Sequence, residues 1–165
     1  MGVEIERKWL VSGFPDGVQP IGRYLIKQSY LIAEPDGAEV RLRECINLWT
    51  DQPQLSPYKM TIKSHGDIAR DEFEIELTKE QYDKLLAQID PNKKPIEKYY
   101  AKYQVIDKTV EISEVDGQFY YAEVEFPEAD ADFLSYVFPW PYLVVQDVTL
   151  DPKFKMKNYW LKTRT

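Results

Sequence analysis

Charged residues recur at two-residue spacing along this sequence, beginning with Glu4, Glu6 and Lys8 in VEIERKWLV. An extended strand sends alternate side chains to opposite faces, so these three share one side while Val3, Ile5 and Trp9 share the other. The pattern returns in AEVRLRECI with Glu39, Arg41, Arg43 and Cys45, and in YKMTIKS with Lys59, Thr61 and Lys63. RDEFEIEL aligns Arg70, Glu72, Glu74 and Glu76, and FYYAEVEF aligns Tyr121, Glu123 and Glu125. If the rows converge, Lys8, Arg41, Arg43, Lys63 and Arg70 grip phosphate oxygens, arginine supplying a planar fork that keeps its charge in a crowded site. Glu4, Glu6, Glu74, Glu123 and Glu125 hold hard divalent cations, which relieve the repulsion among clustered carboxylates. The chemistry that needs both sets is metal-assisted phosphoryl or nucleotidyl transfer.

Strands must position these rows. A one-sided antiparallel sheet also alternates apolar and polar residues. Its solvent face mixes hydroxyls with charges, however, whereas these rows are dense in Glu, Arg and Lys, as suits the lining of a closed barrel whose apolar outside is covered by helices. Further strands are predicted at RYLIKQSYLI, EKYYAKYQVI and TVEISEV, punctuated by Pro- and Gly-bearing turns such as AEPDG. TKEQYDKLLAQID reads as a helix, with Thr78 as N-cap, Gln81 completing a capping box and Tyr82, Leu85, Leu86 and Ile89 as its stripe. A second short helix is expected in EADADFLSYVF before the PWP breaker, and a third in KNYWLKT.

The 165 residues make one domain, 1–165, long enough to bury a core. A net charge of -7 argues against nucleic acid and anionic membranes as partners, so an anionic ligand needs a local cationic site or a bridging metal. Cys45 is the only cysteine, no apolar leader-like run follows the charged start, and no stretch approaches the ~20 residues of a membrane span. The expected location is a reducing cytoplasm. His65, the only histidine, lies in an SHGD turn, which excludes a histidine pair or a Ser-His-Asp triad. Cys45 carries no mark of a nucleophile. Lys59 is expected beyond the tunnel mouth, and the aromatic surplus leaves room for a homodimer contact.

The ordered series resembles the CYTH superfamily, the triphosphate tunnel metalloenzymes, in its short bacterial form. Its carriers are the E-x-E-x-K of Glu4, Glu6 and Lys8, then VRLR, MTIKS, RDEFEIEL, IEK with Lys98, and YYAEVEF. The resemblance implies an α+β fold: an eight-stranded antiparallel β-barrel forming a charged tunnel, with a few short outer helices. It also implies action on a triphosphate-containing small molecule, with Mg²⁺ or Mn²⁺ held by Glu4, Glu6 and Glu123, with or without Glu125. Lys8, Arg41, Arg43, Lys63 and Arg70 would hold the phosphates, and a second metal near Glu74 and Glu111 would orient the attacking water. Ser113 stands where relatives often carry Asp, and Tyr100 where they carry Arg, with Lys102 nearby. FKMKN replaces the usual C-terminal YKN, leaving Lys155 or Lys157 as a phosphate contact. The leading reading is a tripolyphosphate hydrolase. The rivals are a class IV adenylyl cyclase and a non-catalytic polyphosphate- or nucleotide-binding module.

Overall fold

The computed structural model describes residues 2–49, 56–66, 69–127 and 133–165, residues 2–4 by their backbone alone. Strands β1 (Gly2–Val11), β2 (Gly22–Ala33), β3 (Glu39–Asn47), β4 (Tyr58–Lys63) and β5 (Ala69–Leu77) precede helix α1 (Lys79–Leu86). Strands β6 (Ile96–Val105), β7 (Lys108–Val115) and β8 (Phe119–Phe126) follow, then β9 (Val144–Asp147) and helix α2 (Met156–Thr163). Spatial order runs β5-β4-β3-β2-β6-β7-β8-β1, every pairing antiparallel, and β5 pairs back to β1 to close an eight-stranded barrel. Closure removes the free edges that an open sheet of this length would present.

β1 divides one of its edges. Gly2–Ile5 pair with β5, whereas Trp9–Val11 pair with the added strand β9. Strand alternation then sorts the side chains as expected. The outside carries a core of Trp9, Ala101, Tyr103, Val110, Ile112, Ala122, Val124 and Phe126, capped by Phe138 and Leu143. Turn chemistry is local: Asp116 and Gly117 both take positive φ (51° and 67°), the left-handed pair of a tight turn closed by the Gln118 N–H donating to the Val115 carbonyl at 2.8 Å.

α1 begins where predicted. The Thr78 hydroxyl accepts from the Gln81 N–H at 3.2 Å, and the Gln81 side chain accepts from the Thr78 N–H at 2.9 Å. Tyr82 is its buried anchor, ring to ring with Tyr58 at 4.8 Å. The helix ends at Leu86, short of Ile89.

The expected second helix is not formed where it can be followed. Residues 128–132 lie outside the described residues, and 133–138 are turn and irregular chain. The physical reason is Arg7, whose guanidinium donates to the carbonyls of Phe133, Leu134 and Tyr136, groups a helix would keep for itself. Phe133, Tyr136 and Phe138 instead lay their rings against Phe126 and Trp9. An aromatic strap therefore covers the barrel where a helix was expected.

Inside the barrel, a second cluster of Tyr30, Ile96, Val115, Tyr121, Met156 and Trp160 fills one end, brought there by α2. No helix among the described residues is long and apolar enough to cross a membrane.

Candidate active site

The interior is a cavity of about 440 Å³. Glu6, Lys8, Arg41, Arg43, Lys63, Arg70, Glu74, Glu111, Glu123, Glu125 and Lys155 all line it. The side chain of Glu4 lies outside the described residues; its backbone is in register with Arg70. Convergence follows from register: Glu6 faces Glu125, Lys8 faces Glu123, Glu111 faces Glu123, and Arg41, Thr61 and Glu74 lie side by side across three strands. Strands of a tilted barrel bring same-parity residues from all sides to one axis.

Opposite charges are interleaved. Lys8 Nζ stands 3.4 Å from Glu123, Lys59 3.2 Å from Glu74, Lys63 3.6 Å from Glu72, and Arg70 2.7 Å from Glu39. Arg43 Nε donates to Gln28 at 2.9 Å, and Gln28 donates on to the Tyr30 hydroxyl at 2.6 Å, which fixes the plane of the Arg43 fork. The C-terminal segment closes over one end: Lys8 donates to the Phe154 carbonyl, Lys155 to that of Gly66 at 2.8 Å and Lys157 to that of Gly37. Glycine is required at 66, where φ is 156° and an added Cβ would meet the Ala69 carbonyl oxygen at 2.4 Å.

Burial and charge tune the titrating groups. Desolvation pushes the Glu111 carboxyl upward; the hydrogen bond it accepts from Tyr100 works against that, and neighbouring Glu123 adds to it. Desolvation also raises Tyr100 and Tyr121, each with a carboxylate nearby. Lys98, almost fully buried and donating to the Tyr121 hydroxyl at 3.0 Å, is driven well below the usual lysine range by desolvation and then by Arg43. For Glu74, burial opposes ionisation, but hydrogen bonds from Lys59 and Thr61 outweigh it and hold the carboxyl low.

Several lining residues were not given a role by the sequence. Lys59 pairs with Glu74 and lines the cavity while its side chain stays 38% exposed, as suits a residue near the mouth; its shared parity with Lys63 was the available signal. Tyr24, Tyr30 and Tyr100 also face inward. β2 is apolar and aromatic on both sides, which hid its polarity. Ser113 is buried and hydrogen-bonded to Tyr121, and Tyr100 serves Glu111, so both departures from the family pattern are absorbed by this acid-rich wall.

Among the described residues, no three carboxylate, histidine or cysteine side chains already stand as a metal cage. The donor chemistry nonetheless fits a hard divalent cation. Glu6 faces Glu125 and Glu111 faces Glu123, all carboxylate oxygen, and Glu111, raised first by burial and further by the neighbouring Glu123 carboxylate, gains from the charge such a cation brings. Mg²⁺ characteristically takes one or two carboxylates and completes its shell with water and substrate phosphates.

No family model matches the chain. An inorganic triphosphatase of Nitrosomonas europaea is 31% identical over 157 residues, 93% of this chain and 94% of its own length. One from Acetivibrio thermocellus is 31% identical over 163 residues, covering 96% of this chain and 93% of that one. A crystal structure of an inorganic triphosphatase superposes with a TM-score of 0.63 at 29% identity, over 98% of this chain and 96% of its own. Kinship of this extent, joined to the closed barrel and its charged bore, leads to one assignment: the chain belongs to the CYTH superfamily, the triphosphate tunnel metalloenzymes.

Proposed function

We propose that this protein hydrolyses inorganic tripolyphosphate to diphosphate and phosphate with the help of a divalent cation. The observation that carries the reading is the bore itself, where Lys8, Arg41, Arg43 and Lys63 from three strands converge among Glu6, Glu74, Glu111, Glu123 and Glu125. The named triphosphatase relatives support the substrate. Arg41 and Arg43 grip phosphate oxygens with preset forks, and Lys63 neutralises the same chain. Lys8, now on the Phe154 carbonyl and near Glu123, turns to phosphate when the substrate enters.

Glu6, Glu123 and Glu125 together with Glu4 would hold Mg²⁺ or Mn²⁺, which would supply charge neutralisation and a more acidic water. Water attacks the terminal phosphorus in line, the bridging P–O bond breaks, and diphosphate leaves. The Glu111 carboxylate, its proton affinity raised by burial, takes the water's proton. Ionised Glu74, held by Lys59 and Thr61, positions the water. A triphosphate also favours the ammonium form of Lys98, against the burial that lowers its proton affinity. Position and charge compensation do the work, with no covalent nucleophile.

The test is phosphate release from tripolyphosphate, ATP and thiamine triphosphate in Mg²⁺ or Mn²⁺, with EDTA as control and a Glu4→Ala, Glu6→Ala double variant. Metal-dependent release from tripolyphosphate, lost in the variant, is expected. A folded protein that binds tripolyphosphate yet releases nothing would overturn the hydrolase, and cyclic AMP formed from ATP would reassign the site to a cyclase.

A further inference from the structure

Glu39 stands among the tunnel's cations. It is the first residue of β3 and pairs in register with Lys63, the last residue of β4, and with Ala33, the last of β2. A side chain at three strand ends belongs to the barrel's rim and would ordinarily be wet. Glu39 is 3% exposed. The C-terminal segment lies across it: Lys157 reaches the Gly37 carbonyl beside it, and Met156 lines the same end of the cavity.

The carboxyl is nevertheless ionised. Burial alone would raise it, but Arg41, Lys63 and Arg70 together hold it below the usual carboxylate range, with Arg70 bonded at 2.7 Å. It therefore removes Arg70 from the pure phosphate-binding row and sets a carboxylate among the cations of this end. Glu111 and Glu123 pair in register with each other, and Arg43 and Tyr100 stand within electrostatic reach of Glu111. Arg41, two residues from Glu39 and two from Arg43, falls between these acids. Strand rise makes each such interval about 7 Å along the strand, and strand tilt shortens it along the barrel axis.

We infer that Glu39 is the chain-length selector of the tunnel: a phosphate chain measured from Glu111 and Glu123 fits three phosphates before the next would meet a buried carboxylate. This rests on the triphosphatase reading above. A wholly basic bore would favour longer, more highly charged polyphosphates, because attraction grows with ligand charge. A fixed anion at this end reverses that order. Like charges in a poorly screened interior repel strongly at contact.

The discriminating quantity is the ratio of inorganic tetraphosphate to tripolyphosphate, compared between wild type and Glu39→Gln. Glutamine keeps the shape and an acceptor for Arg70 but removes the charge. The ratio is read twice: as kcat/KM from phosphate release in Mg²⁺, and as Kd from calorimetry in EDTA, where turnover stops. Wild type is expected to favour tripolyphosphate at least tenfold, and Glu39→Gln to shrink that preference tenfold or more. A role confined to holding Arg70 would change both ligands in the same proportion. Arg70→Gln guards against a misfolded first variant, and its predicted effect is opposite: with one compensating cation fewer, the carboxylate rejects the fourth phosphate more strongly and the preference widens.

Equal handling of the two ligands by wild type, or an unchanged ratio in Glu39→Gln with Arg70→Gln also unmoved, overturns the selector. Absence of turnover with the expected Kd ratios would sink the hydrolase reading while leaving the selector standing.

Discussion

Arg7 faces away from the tunnel and offers a quantitative test of how the chain holds its site together. Only 8% exposed, it donates to the carbonyls of Phe133, Leu134 and Tyr136 at 3.0, 3.2 and 3.3 Å, to the Thr149 hydroxyl at 3.3 Å and to Asp147 at 2.6 Å. Its guanidinium also lies 4.9 Å from the centre of the Trp9 ring. Arg7→Met keeps the packed stem and removes every donor. Asp147 is 47% exposed and retains its bonds from Thr149, so losing that ion pair costs under about 1 kcal/mol. Leu134 is exposed, and its carbonyl can turn to water. The Phe133 and Tyr136 carbonyls are the costly ones, at ~1–3 kcal/mol each when left without a partner.

The sum is about 4 kcal/mol. For a chain of this size each kcal/mol moves Tm by ~2–4 °C, so the expected fall is roughly 8–16 °C. Urea unfolding should show the same loss through a lower midpoint with an unchanged slope. Arg7→Lys should recover little, because a point cation cannot span acceptors arranged for a fork. Thr149 and Phe154 line the tunnel just beyond this clasp, so KM for tripolyphosphate should rise even well below the variant's melting point. A destabilisation under ~1 kcal/mol would refute the clasp as the device that fastens the aromatic strap and β9 to β1.

Lys98 makes a prediction about pH. Its folded proton affinity is depressed, so the unfolded chain binds more protons and stability rises as pH climbs from the folded value toward that of a free lysine. Lys98→Met should flatten this rise and stabilise the ligand-free protein at neutral pH; a denaturation series in EDTA from pH 6 to 10 with parallel curves for the two proteins would contradict it. Arg43→Lys should lower kcat/KM for tripolyphosphate by about tenfold or more, since it removes a fork oriented by Gln28 and an interaction with charged phosphate is worth ~1.5–3 kcal/mol. Equal activity in steady-state assays would mean that Arg43 contributes charge alone.

The charged rows were legible because side-chain alternation is a local property. Once VEIERKWLV, VRLR, MTIK, EFEIE and AEVEF are extended, their acids and bases must share a face whatever the rest of the chain does. Thr78 and Gln81 were legible for the same reason, since a capping box closes within four residues. The aromatic strap was not. FLSYVF has helical composition, yet its carbonyls are taken by Arg7, more than a hundred residues away in sequence.

The sequence alone therefore determined which residues could face one another and which chemistry they could share: carboxylates for a cation, guanidinium and ammonium groups for phosphate. Tertiary structure decided how they are used. It paired Lys59 with Glu74 at the cavity wall, divided the edge of β1 between β5 and β9, and drew the C-terminal segment across the rim so that Glu39 became buried. Burial, partner and order along an axis depend on segments distant in the chain meeting in space, and no local periodicity encodes that meeting.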